Sequence, residues 1–262
     1  MIKLTKKEEE ARKRICLALD VSDVKEALTL VDELSDYVGI FKIGKQLHIA
    51  AGNQSINIVQ AISDKGGEIF LDLKLHDTPN TVFQASKECS VSGVCIFNVH
   101  IAGGEKMCKQ AIEGAKQGAL FYNIKTPKVI GVTVLTSLND EDLKDQHLGI
   151  KYDDLVERRT ELAKKWGLDG IVCPVNKAGE LEKKFGSDFL YITPGIQWGG
   201  KMGKGQKQLY TADLAVKDCK NSILVIGSAI TNSCQVLEKL NHFLLLVKEK
   251  FLIKLLVNLA GV

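Results

Sequence analysis

The 262-residue chain has no uninterrupted apolar run of membrane-spanning length, no Pro/Ser-rich linker, no C-x-x-C pair and no large excess of either charge. Each absence removes a class of protein. A spanning helix needs roughly 18–20 apolar residues, and the most apolar stretch, 242–262, is broken by Lys248, Glu249, Lys250 and Lys254. Seven scattered cysteines, an odd number, fit core thiols better than a disulfide framework or a zinc site. A net charge of +3 is too small to imply binding to nucleic acid or a membrane. The opening residues mix Lys, Arg and Glu without an apolar h-region, so no signal peptide is expected and the cytoplasm is the natural compartment.

What is present reads as one large domain over residues 1–262. A short charged extension covers 1–14, and an apolar helix covers about 240–260. In that last segment Leu240, Leu244, Val247, Phe251 and Leu255 follow helical spacing, as expected of a helix that closes the fold or meets a partner subunit. Before it, short apolar runs alternate with longer amphipathic stretches, the pattern of repeated βα units and a parallel sheet. Eight candidate strands fall at 15–19, 40–43, 68–74, 93–99, 128–135, 170–173, 189–193 and 222–226; helical periodicity fills intervals such as 24–34 and 152–166. Eight units favour a closed (β/α)₈ barrel, the TIM fold, over an open doubly wound sheet. The length agrees, since such barrels run to about 250 residues.

Nearly every candidate strand ends in a polar or glycine-bearing motif. The first ends at Asp20, the second carries Lys42, and the third carries Asp72 and Lys74. The fourth ends Asn98-Val99-His100 and the fifth Leu135-Thr136-Ser137. The seventh ends Thr193-Pro194-Gly195-Ile196, and the eighth Ile226-Gly227-Ser228. In a (β/α)₈ barrel these ends meet on one rim, where active sites sit.

The third strand carries the most information. It runs Phe70-Leu71-Asp72-Leu73-Lys74-Leu75-His76-Asp77-Thr78-Pro79-Asn80-Thr81. Residues two apart on a strand share a face, so Asp72, Lys74 and His76 should line one side and three leucines the other. Charges in a core strand are costly unless paired and hydrogen-bonded. A buried Asp–Lys pair that merely fixes the strand is the plain alternative to a catalytic role.

This segment resembles the signature of the orotidine 5'-phosphate decarboxylase family, whose members make UMP. The D-x-K-x-x-D core is shared with a neighbouring group of sugar-phosphate decarboxylases and aldolases that use Mg²⁺, while the continuation His76-Asp77-Thr78-Pro79-Asn80-Thr81 is particular to the orotidylate branch. The resemblance spans roughly residues 16–231 and implies a catalytic set of Lys42, Asp72, Lys74 and Asp77, all present. It implies a homodimer in which Asp77 enters the neighbouring subunit's site. It further implies that Asp20 binds the ribose, that Thr136 contacts the pyrimidine, and that Thr78, Thr81 and Pro194 contact substrate. Neither a metal nor an organic cofactor is expected, nor a nucleic-acid or membrane partner.

The chemistry suits these residue types. Loss of CO₂ from a pyrimidine ring carbon leaves a carbanion with little resonance help, so its charge must be stabilised electrostatically and a proton delivered promptly. Lys74 can face that charge and then act as general acid, with Asp72 holding it protonated. For Asp20 a helix cap is a competing reading, because a helical pattern follows it. For Thr136 the competitor is a hydroxyl satisfying backbone at a strand end. His76 and His100 receive no catalytic role.

Phosphate in such barrels commonly sits on the loops after strands seven and eight. Gln206 and Gly227 fall at the family's phosphate-binding positions, but Gln197 and Ser228 stand where bacterial members usually have arginine. Arginine forks donate paired, charge-assisted hydrogen bonds to phosphate. Lys201, Lys204 and Lys207 could supply charge instead, or form a solvated basic loop. The remaining alternative is a non-catalytic barrel that has lost phosphate binding.

Overall fold

The structure is a computed structural model that describes residues 6–91, 93–197, 210–211 and 219–227. Ten strands are present among these residues. They are β1 (Ile15–Ala18), β2 (Ile40–Gly44), β3 (Glu68–Leu75), β4 (Val94–His100), β5 (Lys128–Val132), β6 (Gly170–Val172), β7 (Leu190–Thr193), β8 (Ile196–Gln197), β9 (Tyr210–Thr211) and β10 (Ser222–Ile226). Eight of them close a parallel barrel in the order β1-β10-β7-β6-β5-β4-β3-β2, while β8 and β9 form a separate small pair. The expected (β/α)₈ barrel is therefore the observed fold. The intervening helices are α2 (Val24–Leu34), α3 (Lys45–Asn53), α4 (Ile58–Ser63), α5 (Pro79–Cys89), α6 (Gly104–Tyr122), α7 (Asp140–Asp145), α8 (Tyr152–Trp166) and α9 (Val175–Phe185), preceded by α1 (Lys6–Arg12).

The strand sequences are near-continuous apolar runs because both faces are covered. Alternate residues enter two different cores. Cys16, Ala18, Ile40, Phe70, Ile96, Ile130, Val132, Val172, Leu190, Ile192, Ile223 and Val225 fill the barrel interior. Their neighbours, among them Leu17, Phe41, Ile43, Leu71, Phe97 and Val99, pack outward beneath the helices. The interior layers are thus apolar, and the same alternation carried toward the strand C-termini reaches Asp20, Lys42, Asp72 and Asn98. The polar rim is an extension of the core pattern.

At the opposite end Arg14 ties the first and last barrel strands. Its guanidinium donates to the Ser222 carbonyl at 3.0 Å, the Cys219 carbonyl at 3.0 Å and Ser222 Oγ at 2.7 Å. The N-terminal extension contains α1, anchored by Arg12 Nη1 donating to the carbonyls of Ser35 and Val38. Strand β5 stops at Val132, three residues before the expected end, and the next residue, Thr133, donates both its hydroxyl, at 2.7 Å, and its backbone N–H, at 3.3 Å, to the Val172 carbonyl. Among the described residues no helix is long and apolar enough to cross a membrane. The six cysteines described are free, as expected of core thiols. The apolar segment at 240–260 lies outside the described residues.

Candidate active site

Four charged side chains meet where β1, β2 and β3 reach the rim. Lys42 Nζ lies 2.9 Å from Asp20 Oδ1 and 3.4 Å from Asp72 Oδ2. Lys74 Nζ lies 2.7 Å from Asp72 Oδ1. The charges alternate along the chain Asp20–Lys42–Asp72–Lys74, so Lys42, Asp72 and Lys74 of the expected array meet, and Asp20 joins them at the Lys42 end. Asp77 is exposed, and its carboxylate accepts the N–H of Thr78 at 2.6 Å.

Lys42 and Asp72 are 7% and 9% exposed, so each charge depends on its partners. Burial presses against both ionised forms. For Lys42 it is outweighed by Asp72 and Asp20, and the ammonium titrates above its ordinary range. For Asp72 it is outweighed by Lys42, Lys74 and Asn98, and the carboxyl titrates below its ordinary range. Both groups are therefore charged at neutral pH.

Asp20 is available to Lys42 because another residue caps the following helix. Asp23 accepts the Lys25 N–H at 2.8 Å as the N-cap of α2. The cap reading of Asp20 is thus set aside. Gly44, two residues beyond Lys42 on β2, keeps the pair uncovered, since a Cβ there would stand 3.2 Å from both Asp20 Oδ1 and Lys42 Nζ.

Lys74 does not simply continue the strand. Its φ is +51°, in the left-handed region, and the β3–β4 register shifts between Leu71 and Leu75. This β-bulge redirects the end of the strand, a device found next to active sites. Beyond it His76 lies against His100, with ring centroids 5.3 Å apart. Burial, then His76, Lys74, Lys45 and Arg159, lower the His100 pKa to about 4, so this imidazole is neutral at neutral pH.

Asn98 and Gly44 are contributors that the sequence reading did not assign. Asn98 is buried and hydrogen-bonds both Asp72 and the Lys74 backbone. The signal was its position two residues beyond Ile96, an interior-facing residue of the same strand.

The other expected substrate contacts are distributed around the mouth. Thr78 and Thr81 are exposed at the start of α5, with their hydroxyls 2.9 Å apart. Thr136 lies half-buried in the turn after β5, and Pro194 is half-buried after β7. A Cβ on Gly227 would lie 3.6 Å from Asp20 Oδ2, which puts the end of β10 beside the charged array. Gln197 belongs to β8, in register with Thr211. Gln206, Ser228, Lys201, Lys204 and Lys207 lie outside the described residues.

A closed parallel barrel with an alternating carboxylate–ammonium array on its C-terminal rim defines a (β/α)₈ barrel of the kind whose active sites lie on that rim. Residues 13–243 match the orotidine 5'-phosphate decarboxylase / HUMPS family, and the chain belongs to that family. Its relatives include the orotidine 5'-phosphate decarboxylase of Geotalea daltonii, 38% identical over 222 residues covering 85% of this chain and 90% of that protein. That of Buchnera aphidicola is 38% identical over 228 residues, covering 87% and 93%. Among solved structures, the orotidine 5'-phosphate decarboxylase of Lactobacillus acidophilus superposes with a TM-score of 0.76 at 29% identity, over 89% of this chain and 98% of that one.

Proposed function

We propose that the protein converts orotidine 5'-phosphate to UMP and CO₂, with Lys74 as the group that meets the carbanion and protonates it. The observation that carries this reading is the 2.7 Å pairing of Lys74 Nζ with Asp72 at the barrel rim, in a chain whose relatives carry that activity in their names. As the bond from the ring carbon to the carboxylate breaks, its electron pair stays on carbon and CO₂ departs. The Lys74 ammonium stabilises that pair and then donates its proton to the same carbon, leaving a neutral amine that solvent reprotonates. Asp72 keeps Lys74 charged and aimed. Lys42, held by Asp20 and Asp72, adds fixed positive charge beneath the site, and preorganised charge of this kind is commonly the largest catalytic contribution.

Asp20 and Gly227 stand together as the ribose and phosphate side of the mouth. Gln206 contributes to phosphate binding, while Gln197 and Ser228 provide weaker donors than arginine at their positions. Thr136 and Pro194 border the base, and Thr78 and Thr81 approach substrate from the loop that carries Asp77. Asp77 completes the site of the partner subunit in a homodimer, a role consistent with its exposure. A cytoplasmic location accords with six free cysteines among the described residues.

The test is a spectrophotometric assay of orotidylate loss, run with EDTA and with added Mg²⁺. The expected result is turnover to UMP that EDTA leaves intact. Orotidylate loss that requires Mg²⁺ would overturn the metal-independent step, and no consumption of orotidylate would overturn the reading.

A further inference from the structure

Asn98 is only 1% exposed, yet both ends of its amide are engaged. Nδ2 donates to Asp72 Oδ1 at 2.7 Å, and Oδ1 accepts the backbone N–H of Lys74 at 2.8 Å. The orientation of the amide is chemically unambiguous, because an ionised carboxylate only accepts and a backbone N–H only donates. The Lys74 ammonium also donates to Asp72 Oδ1, at 2.7 Å. The amide and the ammonium therefore converge on one carboxylate oxygen, and Oδ2 remains toward Lys42. The second bond falls at the bulge, where Lys74 takes its positive φ and the ladder to β4 loses register. A left-handed conformation is unfavourable for a non-glycine residue and persists where surrounding contacts enforce it.

We propose that Asn98 is a positioning residue for the decarboxylation, an amide that fixes the Asp72 carboxylate and the Lys74 backbone relative to each other. One planar group sets both members of the proton-donating pair, so the direction of the Lys74 side chain depends on it. This inference rests on the reading of the site given above. A merely structural Asn98 would affect folding and leave the properties of the folded enzyme unchanged.

The test uses Asn98→Ala and Asn98→Asp in the full chain, with orotidylate as substrate and circular dichroism to verify folding. Asn98→Ala should lower kcat by about 10²-fold, the scale of an ångström-sized misplacement, with KM little changed. Asn98→Asp is nearly isosteric, and its ionised carboxylate can accept from the Lys74 N–H but cannot donate to Asp72. Protonated, it does both. Its kcat should therefore recover as pH falls, relative to the parent enzyme at the same pH. The groups that tune this protonation are Asp72 and Lys74 on β3, Lys42 beyond them on β2, and His100 on β4 itself. Strand β5 presents Ile130 in register with Asn98.

An Asn98→Asp profile parallel to that of the parent enzyme, or an Asn98→Ala kcat equal to the parent's, would overturn the proposal. If Asn98→Ala does not fold, the Asn98→Asp profile decides alone. A parent enzyme that leaves orotidylate untouched would instead overturn the functional reading, so the two failures are distinguishable.

Discussion

Asp72 Oδ1 lies 2.7 Å from Lys74 Nζ, although the two residues are only two apart on a strand and Lys74 has left-handed backbone geometry. In a regular strand such side chains share a face and run roughly parallel. The bulge brings the ammonium onto the carboxylate, while Lys42 approaches the other oxygen at 3.4 Å. Two cations thus share one buried anion.

Removal of that anion should be costly. Asp72→Ala would leave two ammonium groups facing each other, and breaking a buried ion pair from one side costs about 3–5 kcal/mol. Denaturant unfolding at neutral pH should show a loss of that size. Because the folded carboxyl titrates below its ordinary value, the unfolded chain binds the proton first as pH falls. The stabilisation is therefore present above the ordinary carboxylate range and is lost on acidification through the lower folded value. A variant as stable as the parent would show that the array contributes little to folding.

His100 should give a separate acid sensitivity at higher pH. Its folded pKa is about 4 against an ordinary 6.5. Between those values the unfolded chain is protonated and the folded chain is not, so stability falls as pH drops from 6.5 toward 4. His100→Gln removes the titrating group and should flatten that part of a melting-temperature profile. An unchanged slope would assign the sensitivity to other groups.

The sequence already displayed the barrel, because its strands are short apolar runs with polar ends, and 24–34 and 152–166 are the observed bounds of α2 and α8. The polar motifs at the strand ends also placed Lys42 and Asp72 on the rim. The bulge at Lys74 was not legible, since it depends on the register with β4 and on the Asn98 amide. The partner of Asp20 was hidden for a similar reason. Two aspartates lie close together before α2, and only the structure shows that Asp23 takes the cap and releases Asp20 for Lys42.

The phosphate end makes its own prediction. If Gln197 and Ser228 leave the phosphate weakly held, Ser228→Arg should lower KM for orotidylate and leave the phosphate-free nucleoside little affected. Hydrogen bonds to charged groups are worth about 1.5–3 kcal/mol, equivalent to roughly 10- to 100-fold in KM. Equal effects on both substrates, or a raised KM, would show that other groups already fill the role.

A shared site can be tested by complementation. Lys74→Ala and Asp77→Ala homodimers should each be nearly inactive if the site takes Lys74 from one chain and Asp77 from the other. In the mixed dimer one site carries both defects and the other carries neither. Refolding the two inactive proteins together should restore activity. Subunit exchange confirmed by mass without any return of activity would place Asp77 in its own chain's site.

The central claim is that Lys74 stabilises and protonates the carbanion, and its most direct test is kcat for orotidylate in a folded Lys74→Ala enzyme. Proton transfer alone contributes about 10²–10⁴-fold, and the lost charge adds to that, so turnover should fall by at least that range while the fold persists. A correctly folded Lys74→Ala protein that keeps more than about a tenth of the parent kcat, far above that expectation, would contradict the account.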